Sequence, residues 1–189
     1  MADEADRMRR LVDDLLSLSR VEETQRIRPT ELVDMVGVVQ RAADLLGDLA
    51  LSNGTTLNVQ TPTSALRIPG DETQLLQVTN NLIENAIKYG ATEHGITISL
   101  SEPTFDKTLQ QDAIALTVRD YGEGIAAHHF ARLTERFYRI DGHRAREMGG
   151  TGLGLAIVKH ITNRHRGRIS FESEVGQGTT VTIRLPVAT

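Results

Sequence analysis

The stretch Glu72-Thr-Gln-Leu-Leu-Gln-Val-Thr-Asn-Asn-Leu-Ile-Glu-Asn-Ala-Ile-Lys-Tyr89 carries the most information in this chain. Leu75, Leu76, Val78, Leu82, Ile83, Ala86 and Ile87 recur at helical spacing and predict a helix buried over a wide face, with Asp71 or Thr73 as its N-cap. Asn81, Glu84, Asn85 and Lys88 fall at i, i+3, i+4 and i+7 and therefore share one narrow polar stripe. A solvated helix face would more often use several Lys and Glu than paired Asn. Polar groups on a mostly buried helix need partners. Carboxamide oxygens suit Mg²⁺, which keeps several waters and takes few protein oxygens, and an ammonium at Lys88 offsets phosphate charge.

Downstream, Ile96 to Leu100 and Ile114 to Val118 read as strands joined through a polar loop containing Pro103. The second runs into Asp120-Tyr-Gly-Glu-Gly-Ile125. A carboxylate at a strand end can accept from an exocyclic amine such as adenine N6, and Gly122 and Gly124 allow backbone close to a flat ring. The same glycines with Ala127 satisfy a dinucleotide-binding fingerprint. That rival needs an acidic residue about 20 positions on, at a strand end; the segment there, Phe137-Tyr-Arg-Ile-Asp-Gly-His143, reads poorly as such a unit. Next comes Gly149-Gly-Thr-Gly-Leu-Gly-Leu155, leading into the helical pattern Ala156-Ile-Val-Lys-His-Ile161. Alternating glycines ahead of a helix N-terminus suit phosphate, although the Walker spacing is missing and a flexible hinge is the plainer alternative. Arg168 to Glu172 and Thr179 to Leu185 close the chain as a hairpin around Gly176-Gln-Gly178.

Upstream, Met8, Leu11, Leu15 and Leu18, flanked by Val12 and Leu16, predict a helix over residues 3 to 23 whose apolar seam either joins the core or pairs with another helix, such as that of a second copy. Arg28-Pro29 ends it and marks a boundary near residues 24 to 30. Glu31 to about Asn53 reads as a second amphipathic helix, Thr56 to Gln60 and Leu66 to Ile68 as short strands. The chain's 189 residues, 39% of them hydrophobic, suffice for one domain with a core plus an appended element. Cysteine is absent, which removes disulfides and thiolate chemistry and fits a reducing cytoplasm. No apolar run reaches membrane-span length and no leader pattern opens the sequence, so a soluble chain is expected. The net charge of −4 argues against general nucleic-acid binding. Between Arg132 and Arg168, however, eight Arg and one Lys face Glu135, Asp141 and Glu147, an excess suited to a polyanion or simply a solvated basic face.

Asn81 to Tyr89 resembles the N box of sensor histidine kinases, Asp120-x-Gly-x-Gly-Ile125 the first glycine box, Arg136-Phe-Tyr-Arg139 the F box, Gly150 to Leu155 the second glycine box and Gly176-x-Gly-Thr179 the last, in the family's order. The resemblance implies an α+β fold: a two-layer α/β sandwich of the Bergerat ATP-binding type, with a mixed, mostly antiparallel sheet, helices on one face, and one N-terminal helix ahead of it. It places the catalytic domain of this GHKL superfamily at residues 30–189 and a mobile lid at about 126 to 150. It implies ATP and Mg²⁺ as cofactors, with Asn85 and Asn81 as metal positions, Lys88 at a phosphate, Tyr89 along the adenine and Asp120 on its amino group. The resemblance also makes Gly122, Gly124, Ile125 and Thr179 nucleotide-binding positions, with Gly122 and Gly124 leaving the backbone close to the ring. Arg139, with Arg136 and Phe137 beside it, would approach the terminal phosphate, and Gly150, Thr151, Gly152, Leu153, Gly154 and Leu155 would hold the phosphate chain. Glu84 and Arg139 are the catalytic candidates; Glu84 sits where related ATPases carry a water-activating base.

Arg9 to Glu22 resembles the second helix of the family's dimerisation hairpin, which assigns residues 1–24 to a partial hairpin, with self-association or poor order there because the seam lacks its mate. The first hairpin helix would carry the phosphoacceptor, and no segment matches it. His94, His128, His129, His143, His160 and His165 lie within or after the catalytic motifs, without zinc-ligand spacing, and read as surface or core residues. The implied function is transfer of the ATP γ-phosphate to a histidine outside this chain and onward to a response-regulator receiver domain, in the cytoplasm, with a parent protein anchored in the inner membrane. A superfamily ATPase, or an anti-sigma-type serine kinase or nucleotide-binding regulator, stands as the alternative.

Overall fold

The computed structural model describes residues 2–24, 27–90, 94–140 and 150–187. Along the chain run α1 (Ala2–Thr24), β1 (Leu32–Asp34), α2 (Met35–Ser52), β2 (Leu57–Gln60), β3 (Arg67–Pro69), α3 (Glu72–Tyr89), β4 (Ile96–Leu100), β5 (Thr104–Asp106), β6 (Gln111–Arg119), a 3-10 turn (Ala127–Arg132), α4 (Gly154–Arg164), β7 (Arg168–Glu174) and β8 (Gly178–Pro186). The main sheet has the order β2-β4-β6-β8-β7 with β5 beside β6; β2 and β4 are parallel and the other pairs antiparallel. Strand alternation explains the two layers. Ile96, Ile98, Leu100, Ile114, Leu116, Val118, Ile183 and Leu185 all bury in one core with residues of α2, α3 and α4. The alternating residues on the other face are Thr97, Ser99, Ala115, Thr117, Thr182 and Arg184, mostly polar, and the Thr117 and Thr182 hydroxyls meet at 3.3 Å. This is the α+β sandwich expected, with helices on one face.

Two local expectations need correction. The second helix starts at Met35 rather than Glu31 because Leu32–Asp34 pairs with β3 as a small separate sheet. Asp34 ends that strand and caps the helix: its Oδ1 accepts from the amides of Val36 and Leu66, both at 3.1 Å. The loop after β4 is not wholly irregular either. Thr104–Asp106 adds to β6, and Asp106 Oδ1 closes the turn by accepting from Thr108 and Leu109 amides at 2.8 Å. The N-cap of α3 is Asp71, through the Gln74 amide at 3.1 Å, and not Thr73.

Helix α1 docks against α4 and the core instead of standing apart. Leu18 and Val21 are buried and Leu11 is half-buried, while Met8, Val12, Leu15 and Leu16 remain exposed. Its apolar residues thus form two stripes, one spent on this domain and one facing out. Burying side chains such as Leu18 and Val21 stabilises the docked helix by about 1.5–3 kcal/mol each. Ser17 and Gln77 exchange hydrogen bonds at 2.8 and 3.0 Å and fix the register of α1 on α3.

His165 ends α4 and ties it to α3. It is 1% exposed; its Nδ1–H donates to Ile161 O at 2.8 Å, and Nε2 accepts from the Asp71 amide at 3.0 Å. Acceptance at Nε2 requires the neutral ring. Burial pushes its pKa below 6.5, with Arg164 and Arg28 lowering it further against the Ile161 carbonyl and Asp71. Because the folded value is depressed, the unfolded chain takes up the proton first as pH falls through 6.5, and stability is lost below that point. Thermal unfolding scanned from pH 7.5 to 5.5 should show a steeper loss of Tm for the native chain than for His165→Gln, which cannot titrate.

Candidate nucleotide site

The C-terminal half of α3, the segment after β6, the glycine loop ahead of α4 and the β7–β8 turn converge on one edge of the molecule. At its centre is Asp120, 9% exposed. The Asp120 amide donates to Thr179 O at 2.9 Å and the Thr179 amide returns to Asp120 O at 3.2 Å, extending the β6–β8 ladder past Arg119. Asp120 Oδ1 also accepts from the Gly122 amide at 2.9 Å and the Thr179 amide at 3.2 Å. Burial raises its pKa, and the two amides oppose that rise. Neither of those amides uses Oδ2, which leaves that oxygen as the acceptor for a ligand donor.

Close backbone approach explains the glycines. A Cβ on Gly122 would lie 2.0 Å from Tyr89 O, and one on Gly178, which has φ +91°, 2.2 Å from Asp120 O. Gly124 (φ +69°) likewise has Glu174 O at 2.0 Å, so α3, the post-β6 segment and the hairpin meet without room for side chains. Ser173 binds this cluster together: its Oγ accepts from the Ile125 amide at 2.8 Å, donates to Gly178 O at 2.7 Å, and lies 2.9 Å from Thr179 Oγ1.

On the α3 stripe, Asn81 Nδ2 reaches Gly154 O at 3.4 Å, and Lys88 Nζ lies 3.3 Å from Glu84 Oε2. Asn85 sits between them on the same face, partly exposed, and Tyr89 is more open, its hydroxyl 3.6 Å from where a Gly150 Cβ would be. Glu84 and Lys88 therefore neutralise each other. The carboxamides and the 150–154 backbone share one rim, and the first amides of α4 open onto it. Leu153 is fully buried and Leu155 packs on the core, so these two anchor the loop from beneath.

The F-box residues flank the opposite side. Phe137 has φ +61° and donates its amide to Gly152 O at 2.9 Å; Gly152 (φ +73°) could not carry a Cβ, which would meet Phe137 Cα at 2.9 Å. A cleft of about 410 Å³ lies among Arg132, Glu135, Arg136, Phe137, Tyr138 and Arg139. Arg139 Nη2 is buried there and finds no hydrogen-bond partner among the described residues, the state expected of a cation awaiting an anion. Arg136 instead pairs with Glu22 of α1, whose carboxylate also lies 3.4 Å from His160 Nε2. The lid expected at 126–150 begins with the 3-10 turn; residues 141–149, His143 among them, lie outside the described residues.

Three neighbours of the site escaped the sequence reading. Asp14 of α1 accepts from Thr151 Oγ1 at 2.6 Å, and burial raises its pKa, with Glu84 adding to the rise and Lys88 opposing it. Glu22 and Ser173 are the others. Ser173 was open to discovery by hairpin counting, since it lies opposite Thr179; the helix residues carried no local signal. A larger cavity, about 530 Å³, lies on the sheet's polar face around Arg168 and Arg184, remote from these groups. Its guanidiniums are already engaged by Thr108, Ser170 and Asp106.

The donor set also bears on a metal. Among the described residues no three Asp, Glu, His or Cys converge as a cation cage. Asn81, Asn85 and a neutralised Glu84 instead fit a hydrated Mg²⁺ that arrives with phosphate oxygens as its main ligands.

Stability should separate the glycines. Gly122→Ala is expected to lower the unfolding free energy by roughly 1–3 kcal/mol through overpacking, whereas Gly150→Ala, with nothing nearer than 3.6 Å and no left-handed φ, should unfold like the native chain in denaturant.

Comparison with known proteins identifies the family. Residues 70–189 match the family of histidine kinase-, DNA gyrase B- and HSP90-like ATPases. The sensor histidine kinase RppB of Synechocystis is 35% identical over 96% of this chain and 38% of its own length. The phosphate regulon sensor protein PhoR of Pseudomonas aeruginosa is 37% identical over 96% and 39%. The chain thus spans about two fifths of these relatives. Among solved structures, full-length ShkA in complex with AMPPNP superposes with a TM-score of 0.78 at 26% identity, over 98% of this chain and 37% of that one. The chain belongs to the histidine kinase-, DNA gyrase B- and HSP90-like ATPase family, and its nucleotide-binding domain is the catalytic ATP-binding domain of the sensor histidine kinase type.

Proposed function

We propose that this chain is the catalytic part of a two-component sensor histidine kinase, which delivers the γ-phosphoryl group of ATP to a histidine carried on another segment, for onward transfer to a response-regulator receiver aspartate. The observation that supports it best is the buried Asp120, held by two amides through one oxygen, together with a glycine loop and an Arg139 Nη2 that has no hydrogen-bond partner among the described residues. Asp120 accepts from the adenine amino group, Tyr89 and Ile125 flank the ring, and the amides of residues 150–154 with the α4 N-terminus receive the phosphates. Lys88 leaves Glu84 for a phosphate oxygen, and Arg139 neutralises charge that develops on the transferred group. Asn85 and Asn81 hold Mg²⁺, which supplies charge neutralisation along the phosphates. Freed from Lys88, Glu84 serves as the base.

In this reading residues 1–24 form one helix of a dimerisation hairpin and residues 30–189 the catalytic domain. The exposed stripe of Met8, Val12, Leu15 and Leu16 is the face through which α1 self-associates. No helix among the described residues is long and apolar enough to cross a membrane, consistent with a cytoplasmic segment of an inner-membrane parent.

Calorimetry with ATP, with and without Mg²⁺, tests the site. Asp120→Asn keeps the acceptor for the Gly122 and Thr179 amides but presents an NH₂ where adenine also donates, so ATP affinity should fall about 10- to 100-fold without loss of Tm. Asn85→Ala should remove mainly the Mg²⁺-dependent part. Labelled ATP mixed with a separately supplied histidine-bearing hairpin should mark that histidine; label that appears only as free phosphate would point to an ATPase instead. Self-association is read by sedimentation: the native chain should show dimers at micromolar concentration, and Val12→Glu with Leu16→Glu should abolish them. Monomers for both would count against the hairpin assignment.

A further inference from the structure

We propose that Ser173 is a specificity-determining residue: it fixes the proton direction of the hydrogen bonds behind the base end of the site, so that the wall beside Asp120 can only accept. The inference rests on the reading of Asp120 as the adenine contact and extends it to a residue outside the glycine and N-box motifs.

The argument follows the protons. A serine hydroxyl has one proton and two lone pairs. Gly178 O, 2.7 Å from Ser173 Oγ, is a carbonyl and can only accept, so the serine proton must lie on that line; otherwise two lone pairs would face each other. The Ile125 amide, at 2.8 Å, can only donate, and it occupies one lone pair. The remaining contact, to Thr179 Oγ1 at 2.9 Å, is therefore settled: threonine donates and serine accepts. Ser173 is saturated, and the proton of the Thr179 hydroxyl is spent on it. What Thr179 Oγ1 retains is lone pairs.

The same residue's amide donates to Asp120 Oδ1, and Oδ1 also takes the Gly122 amide. Along this chain of groups the Ser173 and Thr179 hydroxyls and the Ile125, Thr179 and Gly122 amides all donate within the protein, and what is left over on Asp120 Oδ2 and Thr179 Oγ1 are acceptor lone pairs. Their complement is a base edge that donates, as the 6-amino group of adenine does directly or through a water. A 6-oxo purine turns an acceptor toward the same wall and finds no proton there, which leaves its oxygen and the carboxylate unpaired. Thr179 is 8% exposed, so bulk water offers little relief. In the hairpin register Ser173 and Thr179 are directly opposite, and the strand geometry therefore holds the relay in place.

The test is calorimetry on the full chain with ATP and with inosine triphosphate, which exchanges the 6-amino group for an oxygen. The native chain should prefer ATP by roughly 100-fold or more. Ser173→Ala releases the Thr179 hydroxyl to turn and donate, and the ATP-to-ITP preference should fall by about tenfold, chiefly through tighter ITP binding. Ser173→Thr restores the hydroxyl and should restore the preference. If Ser173→Ala does not fold, Ser173→Cys serves instead, because a thiol fills the site but donates and accepts only weakly, and the preference should again fall. An unchanged ratio in the alanine or cysteine variant, including equal weakening of both nucleotides, overturns the proposal and makes Ser173 a structural residue only. If Asp120→Asn leaves ATP affinity unchanged, the base-end reading fails and this inference with it; if that variant loses ATP while the Ser173 variants keep the ratio, only the role of Ser173 falls.

Discussion

The clasp between Asp120 and Thr179 is the constraint on which the site depends. Two backbone bonds and a side-chain bond join the end of β6 to the start of β8, in a place where Gly178 and Gly122 remove every side chain that would push the segments apart. Because β6 and β8 are central in the sheet, the carboxylate inherits the rigidity of the core beneath it. A buried carboxylate costs free energy unless its oxygens are bonded, and two amides on Oδ1 offset part of that cost while Oδ2 keeps its capacity. The fold thus holds a carboxylate in a half-dry place with one of its oxygens still able to accept.

The end proposed for phosphate is built on a different principle. Its cations are already spoken for or held in reserve: Lys88 by Glu84, Arg136 by Glu22, and Arg139 with a buried nitrogen that has no partner among the described residues. Such pairs are worth little at a surface, roughly 0–1 kcal/mol, so an incoming polyanion can exchange them at low cost. Helix α1 joins this balance from outside the sandwich. Asp14 holds Thr151 of the glycine loop and Glu22 holds the F-box arginine, while the buried Leu18 and Val21 keep the helix in place. Two carboxylates of α1 thus contact the glycine loop and the F-box segment, one each.

Much of the site was legible along the chain because its chemistry is local. The i, i+3, i+4, i+7 stripe from Asn81 to Lys88 follows from helix geometry once the apolar face is recognised, and alternating glycines ahead of an apolar helix announce a loop of exposed amides. Helix α2 begins four residues later than its periodicity predicts because Leu32 and Val33 suit an amphipathic helix as well as a strand, and only pairing with β3 decides between them. The α1 seam predicts a single stripe because spacing alone does not tell which apolar residues face α4 and which face out.

The sequence by itself determined the order of motifs, the two-layer α+β architecture and the residue types available for adenine, phosphate and Mg²⁺, since these depend on periodicity and on side-chain chemistry. Only the tertiary structure decided which groups meet across long stretches of chain: Asp14 with Thr151, Glu22 with Arg136, His165 with the Asp71 amide and Ser173 with Ile125. The reason is physical. A hydrogen bond has a range of about 3 Å and a direction, and residues a hundred positions apart come within that range only when the packed core has fixed where every strand and helix lies.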